Sequence, residues 1–352
     1  MKILKRMKKR YALALAALLV LPCVSFMQAW AANEVDLNRE CSLTVSVEVG
    51  NAIGSNEEYL EDFNQMSIPV SVYRVADVDA TGMRFSPESA FESIDFSAVN
   101  QKPSSVTAAD WQKLANEAEK IRASSSIEAA GSTVVQKEEG SGAAVGTIFG
   151  LTPGMYLVVP EQSFNPDYTV QYAFTPYLTA LPSSDYTLGG AGSDEWKYDT
   201  TIGLKPDAQP QFGKLNIVKT LENYNETLGK ATFVFHIVGK DKNGEIKYDE
   251  VESMTYSAAG SNTITIEKIP VGLTVTVTEI YSGASYTVVG SKEGTAVIWS
   301  EAAIEAGIGS EATVAFRNRY DGGNRGGYGV TNHFTQDGSG GWTCVNPTKP
   351  AE

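Results

Sequence analysis

Apolar and polar residues alternate along most of the C-terminal half of the chain. Side chains two residues apart lie on the same face of a strand, so this pattern predicts strands with one buried face. Three of these strands carry a polar residue in phase with their apolar positions, namely Lys219, Glu279 and Asn318. We therefore predict that these three polar side chains point into a core.

The pattern predicts two units that are rich in short strands. Residues 32–204 form the first, whose strands are interrupted by one amphipathic helix at about residues 108–123, with Thr107 as its N-cap. Residues 205–212 contain two prolines and are predicted as a semi-rigid linker. Residues 213–320 form the second unit, which is nearly all strand. Short strands with frequent turn signals favour an all-β fold of two β-sandwich domains.

The two ends of the chain have different compositions from the units. Residues 1–31 combine a basic start, an apolar stretch and a small-x-small site at Ala29-Trp30-Ala31, which is typical of a cleaved signal peptide. The apolar stretch is short for a membrane span, and no second apolar segment follows it, so we expect no span after cleavage. Residues 321–352 are rich in glycine and predicted to be a flexible tail.

Charge and cysteine content narrow the class of protein. The formal net charge is −14, and loss of the signal, with its six basic residues and no acidic ones, leaves −20. Such a chain lacks the positive surface that nucleic-acid binding requires. Secretion would permit a disulfide between Cys41 and Cys344, but two unpaired thiols explain the sequence equally well.

The sequence argues against an enzyme with turnover. His236 and His333 are the only histidines, and their separate settings suggest neither a zinc site nor a Ser-His-Asp arrangement. A glycine-rich phosphate loop is also missing from the sequence. We therefore predict no metal and no cofactor.

A buried lysine, glutamate and asparagine can form an amide crosslink. Taken singly, each residue is more often solvated or in a turn, as at strand ends in general. Their common phase favours the crosslink, because lone charges are almost never buried unpaired. In that reaction the neutral amine of Lys219 attacks the carboxamide of Asn318, and Glu279 acts as the proton shuttle. The reaction happens once per molecule and needs no cofactor.

The second unit resembles a known family. The segments around the three residues resemble the lysine, glutamate and asparagine boxes of Gram-positive pilin isopeptide domains, of the collagen-adhesin B and streptococcal pilin linkage types. These segments are Ile217–Thr220, Val277–Glu279 and Phe316–Tyr320. The resemblance implies an immunoglobulin-like or transthyretin-like sandwich and assigns the three residues the roles given above.

The first unit resembles an N-terminal pilin domain through Val72–Asp77, Leu151–Val158 and Phe174–Leu178. This resemblance implies an extracellular protein of a Gram-positive cell surface, assembly by sortase, and other pilin subunits or ligands on host or neighbouring cells as partners. Pilin shafts carry a linking lysine between domains, and Lys205, before Pro206, has that position. A solvated linker lysine explains it too. An LPxTG-type signal is absent, so ordinary anchoring by sortase is not expected.

Two functions remain open from the sequence. One is a structural pilin-like or adhesin-like subunit of the cell wall or fimbria, stabilised by the isopeptide bond. The other is a secreted binding module that recognises a glycan or protein without polymerising. Four tyrosines of the first unit could line its binding surface or, as is more common in sandwiches, pack inside it: Tyr168, Tyr172, Tyr177 and Tyr186.

Overall fold

A computed structural model describes residues 34–48, 57–184, 195–323, 333–336 and 342–345. The predicted all-β class is confirmed, since strands dominate the described residues and the helices are few. The described residues divide into two compact units within Arg10–Pro166 plus Gln171–Gln209 and within Asp167–Val170 plus Pro210–Glu352. The predicted signal peptide lies outside the described residues.

The first unit consists of several small sheets. Its largest sheet has the order β3-β2-β6-β9, with β4 also pairing with β2, and a second sheet has the order β12-β1-β5. Shorter pairings are β13-β8-β7 and β10-β11. The strands are β1 (Cys41–Ser46), β2 (Ile68–Val78), β3 (Phe85–Pro87), β4 (Gly131–Val135), β5 (Val145–Leu151), β6 (Gly154–Pro160), β7 (Ser163–Phe164), β8 (Val170–Phe174), β9 (Tyr177–Leu181), β10 (Ser183–Ser184), β11 (Trp196–Lys197), β12 (Asp199–Gly203) and β13 (Pro206–Pro210).

In the described part of the first unit, three α-helices accompany these sheets: α1 (Glu57–Phe63), α2 (Ser97–Gln101) and α3 (Ala108–Ser124). The longest, α3, is the helix that the sequence predicts. Thr107 and Asp110 form a capping box at its N-terminus. Its apolar stripe, which includes Trp111 and Leu114, packs in a core with residues of β2, β6 and β9. The sequence did not predict α1 and α2, because helices this short hold too few periodic positions.

The second unit is a sandwich of two four-stranded sheets. One has the order β17-β14-β21-β19 and the other β16-β15-β18-β20. Its elements are β14 (Phe212–Leu221), β15 (Ala231–Lys240), β16 (Ile246–Tyr256), β17 (Gly260–Pro270), β18 (Thr274–Tyr281), β19 (Tyr286–Val288), β20 (Glu293–Val297), α4 (Glu301–Glu305) and β21 (Ala312–Tyr320). Every second residue of β14, β15, β18 and β21 is buried, which is the burial expected of strands that cover a core between two sheets.

Two segments contain strands that the composition did not predict. Strand β13 lies within the predicted linker. In the C-terminal segment, β22 (His333–Gln336) and β23 (Trp342–Val345) pair antiparallel. The strands in both segments are short, and their surroundings are polar or glycine-rich. They therefore depend on pairing partners that composition does not reveal.

None of the helices in the described part of the chain has the length and hydropathy of a membrane span.

Candidate crosslinking site

The three in-phase polar residues of the second unit lie together in its core. Lys219 is on β14 and Asn318 on β21, which are parallel neighbours in one sheet. Glu279 is on β18 of the opposite sheet. Lys219 and Asn318 are 0% exposed and Glu279 is 3% exposed. The alternation of each strand turns its polar residue inward, so the site bridges the two sheets.

Glu279 contacts both other members of the site. Nζ of Lys219 donates to Oε2 of Glu279 at 2.9 Å, and Nδ2 of Asn318 donates to Oε1 of Glu279 at 2.7 Å. Nζ of Lys219 also contacts Oδ1 of Asn318. The carboxyl group therefore touches the amine with one oxygen and the amide nitrogen with the other. These contacts give each of the three buried polar groups a hydrogen-bonding partner, as buried polar groups in proteins generally have.

Aromatic rings surround the lysine amine. Nζ lies 4.4 Å from the ring centroid of Phe233 and 5.9 Å from that of Phe235. The rings of Phe235 and Phe316 are 5.1 Å apart. Such a lining keeps water away, so Glu279 and Asn318 provide the polar contacts of the amine. The low polarity also strengthens the electrostatic interactions within the site.

Burial controls the protonation of the amine. It lowers the pKa of Lys219 below its ordinary value of 10.5, while the hydrogen bond and the charge of Glu279 act in the opposite direction. The lowered pKa increases the fraction of neutral amine at a given pH, and only the neutral amine is a nucleophile. The site thus combines a nucleophile, a proton carrier and an electrophilic carboxamide.

Tyr256, at the end of β16, is a neighbour of the site that sequence reasoning missed. Its hydroxyl donates to the backbone carbonyl of Lys219 and accepts from the backbone N–H of Asn262 at 3.2 Å. Lys219 and Asn262 are register partners on β14 and β17, so the hydroxyl bridges the two strands beside the lysine. The ring also packs edge-on against Phe233. The signal in the sequence that could have indicated Tyr256 is its position two residues after Met254, on the same face of the strand.

The other predicted site residues lie elsewhere. Lys205 is half-buried, with its Nζ 4.3 Å from the ring centroid of Tyr177, and its role as a linking lysine stays a prediction. Cys41 is buried and forms no disulfide with a cysteine whose side chain the structure describes. Burial, followed by the charge of Asp199, raises its pKa to about 11, which makes it a poor nucleophile. The side chain of Cys344 lies outside the described ones, so its pairing with Cys41 also stays a prediction.

Two of the four tyrosines suggested for a binding surface are packed. Tyr172 is buried against Phe63 and donates to Asp62 at 2.6 Å. Tyr177 is 6% exposed. Tyr168 is half-buried, and Tyr186 lies outside the described residues. The two buried tyrosines therefore do not present a surface to a ligand.

Among the described residues, His236 does not lie in a cluster of possible metal ligands. His236 lies on the outer face of β15, and its Nε2 is 2.7 Å from Oδ1 of Asp249. The side chain of His333 is outside the described ones. Within the described ranges, no group of three or more His, Cys, Asp or Glu side chains could hold a metal ion.

One known family model matches part of this chain. A family model described as a domain of unknown function (DUF5979) matches residues 215–321, which include Lys219, Glu279 and Asn318. No curated protein matches the chain.

Solved structures of pilins are similar to the chain. The SpaE basal pilin from Lactobacillus rhamnosus GG is 11% identical with a TM-score of 0.32, and the match covers 80% of this chain and all of that one. A streptococcal ancillary pilin is 12% identical with a TM-score of 0.25, over 80% and 69% of the two chains. GBS52, the minor pilin of Streptococcus agalactiae, is 11% identical with a TM-score of 0.22, over 81% and 98%. At these identities and TM-scores the likeness assigns the chain no function.

Proposed function

We propose that this protein is a structural, pilin-like or adhesin-like subunit of a Gram-positive cell surface, stabilised by an autocatalytic amide bond between Lys219 and Asn318. The observation that carries the proposal is the arrangement of the site. Glu279 contacts the attacking nitrogen and the leaving nitrogen with its two oxygens, all away from solvent. Stability alone does not explain an ion pair in the core, because replacing such a pair with apolar residues is often neutral or stabilising.

The reaction exchanges one amide nitrogen for another. Nζ of Lys219 bonds to Cγ of Asn318, and the bond from Cγ to Nδ2 breaks. One proton leaves Nζ for Oε2 of Glu279, and a proton passes from Glu279 to Nδ2, which departs as ammonia. Glu279 ends in its starting protonation state. Folding holds the reactants in contact, which replaces the need for an external catalyst.

The position of the bond suits a mechanical role. It would join the first strand of the second unit, β14, to the last, β21. These are the strands at which a pulling force enters and leaves the unit. Force would then load a covalent bond in place of the hydrogen bonds between β14 and β21. A subunit under tension at a cell surface benefits from such a bond, whereas a soluble enzyme does not.

Partners of this subunit would be other pilin subunits or ligands on neighbouring or host cells, and sortase would perform the assembly. Lys205 is the candidate for the linking lysine. In that role its amine would leave the face of Tyr177, where it is held by a cation–π contact. Replacement of Lys205 by arginine keeps this contact and removes the primary amine, so it separates the two roles in a polymerisation assay.

Intact-mass measurement of the folded protein tests the crosslink. The wild type should be lighter than its sequence by one ammonia, and digestion should yield a branched peptide that joins Lys219 to Asn318. Lys219→Ala should restore the unmodified mass. Lys214→Ala is the matched control, since Lys214 lies on the same strand but its side chain is 63% exposed. An unmodified wild-type mass, or loss of ammonia in Lys219→Ala, would refute the crosslink.

A further inference from the structure

A groove crosses the largest sheet of the first unit at the place where α3 ends. Its volume is about 620 Å³, within the range of small-molecule sites. Ser71 and Tyr73 of β2 and Val159 of β6 line it on the sheet, and Glu119 and Arg122 line it on the helix. Further lining comes from β8 through Phe174. The helix ends at Ser124, so the two helix residues that line the groove lie in its last two turns.

The helix side of the groove carries a fixed ion pair. Nε and Nη2 of Arg122 donate to Oε2 and Oε1 of Glu119 at 2.7 and 2.6 Å, and both side chains are 27% exposed. The guanidinium carbon of Arg122 lies 5.4 Å from the ring centroid of Tyr73. The bidentate contact and the ring hold Arg122 in one orientation. The pair therefore offers donors and acceptors in set directions with no net charge.

We propose that this groove binds a short neutral saccharide. An anionic ligand would have to compete with Glu119 for Arg122, and Glu161 on the rim would repel it. An apolar ligand would remove the ion pair from water without replacing its hydrogen bonds. A sugar hydroxyl both donates and accepts, so adjacent hydroxyls match a guanidinium beside a carboxylate. The ring of Tyr73 and the side-chain amide of Gln162 on the rim add an apolar surface and a further polar partner.

This inference goes beyond the proposed structural function and does not depend on the crosslink. The residues that line the groove, from Ser71 to Pro176, all belong to the first unit, whereas Lys219, Glu279 and Asn318 belong to the second. A variant without the crosslink should therefore bind as the wild type does. An adhesin-like subunit with this groove would take a glycan as its ligand.

Saturation-transfer difference NMR on the full mature chain tests the proposal with four probes: lactose, N-acetyllactosamine, maltotriose and chitotriose. At least one should receive saturation, with a Kd of about 1 mM or below. Arg122→Lys keeps the charge but loses the bidentate geometry, so it should weaken binding about tenfold. Gln162→Ala, at an exposed position, should weaken binding without affecting the fold.

The matched control is Lys113→Leu, which breaks an ion pair with Glu117 on the same helix and lies outside the groove. Its binding should equal that of the wild type. Failure of all four saccharides to bind would overturn the proposal. Binding that survives both Arg122→Lys and Gln162→Ala would also overturn it, as would tighter binding of trilysine or of a chondroitin sulfate tetrasaccharide than of any neutral probe.

Discussion

Lys219 and Asn318 lie on neighbouring parallel strands but are not register partners. Lys219 pairs with Phe316, and Asn318 pairs with Leu221, so the lysine side chain runs diagonally across the sheet to reach the carboxamide. Its four methylene groups span this offset and bring Nζ to Oδ1 of Asn318. The site therefore requires the length of the lysine side chain as well as its amine.

Glu279→Gln should slow crosslinking by a factor of about 10² to 10⁴, which is the usual contribution of a positioned acid or base. Glutamine preserves the size of the side chain and one of its two oxygen acceptors, but it cannot relay a proton. The measurement is the fraction of crosslinked mass at timed intervals after refolding. Glu293→Gln, on the neighbouring β20, serves as the control because its side chain does not contact the site. Equal rates for Glu279→Gln and the wild type would remove the shuttle role.

Lys219→Met should lower the free energy of unfolding of the second unit by at least about 4 kcal/mol. Lys219 and Asn318 are 99 positions apart in the sequence, and closing a loop of about 100 residues is worth roughly 4.7 kcal/mol for a disulfide. The variant also leaves Glu279 buried without its lysine partner, which is itself destabilising. Chemical denaturation measures the change.

The double variant Lys219→Met with Glu279→Leu separates the two causes. It should be more stable than Lys219→Met alone, because it no longer buries a carboxylate. It should remain less stable than the wild type, because it still lacks the amide bond. A Lys219→Met protein as stable as the wild type would contradict the presence of a crosslink.

Crosslinking in freshly refolded protein should accelerate as the pH rises. Burial lowers the pKa of Lys219 in the folded precursor below 10.5, and the rate should follow the neutral fraction of the amine. The rate should level off above the folded pKa, which lies below the ordinary value of 10.5. The measurement is the mass-detected rate at a series of pH values. A rate that falls throughout this range would contradict attack by the neutral amine.

The stability of the precursor should also depend on pH, with a defined sign. Between the folded pKa of Lys219 and 10.5, the unfolded chain binds more protons than the folded one. The contribution of Lys219 to stability therefore increases with pH across this window and is constant above it. The slowly reacting Glu279→Gln variant, denatured before it crosslinks, allows the measurement. Lys219→Met in the same background should lack this dependence.

Single-molecule pulling on the second unit should release little chain in the wild type. Asn318 lies 99 positions after Lys219, and the bond would shield this stretch of chain, whereas Lys219→Ala should release it. At about 3.5 Å per extended residue, the difference in contour length is roughly 350 Å. A wild-type extension equal to that of Lys219→Ala would show that the bond does not carry the load.

The sequence predicted the features that depend on residues close together in the chain. Alternation predicted the strands of the second unit and the inward phase of Lys219, Glu279 and Asn318, because the side-chain period of a strand is two whatever the partner. The cap at Thr107 and the stripe on α3 predicted that helix. The short helix α1 and the strand β13 were missed, because neither has enough residues for a periodic signal.

The local sequence pattern could not show that the three polar residues contact one another. Alternation shows which face a residue occupies, but not which strand lies beside it. The parallel pairing of β14 with β21, the position of β18 in the facing sheet and the bridge made by Tyr256 are set by residues far apart in the chain. The sequence by itself therefore determined the strands and their buried faces. Only the packing of two sheets brought an amine, a carboxyl group and a carboxamide into contact, because such contacts arise from strand order and not from strand pattern.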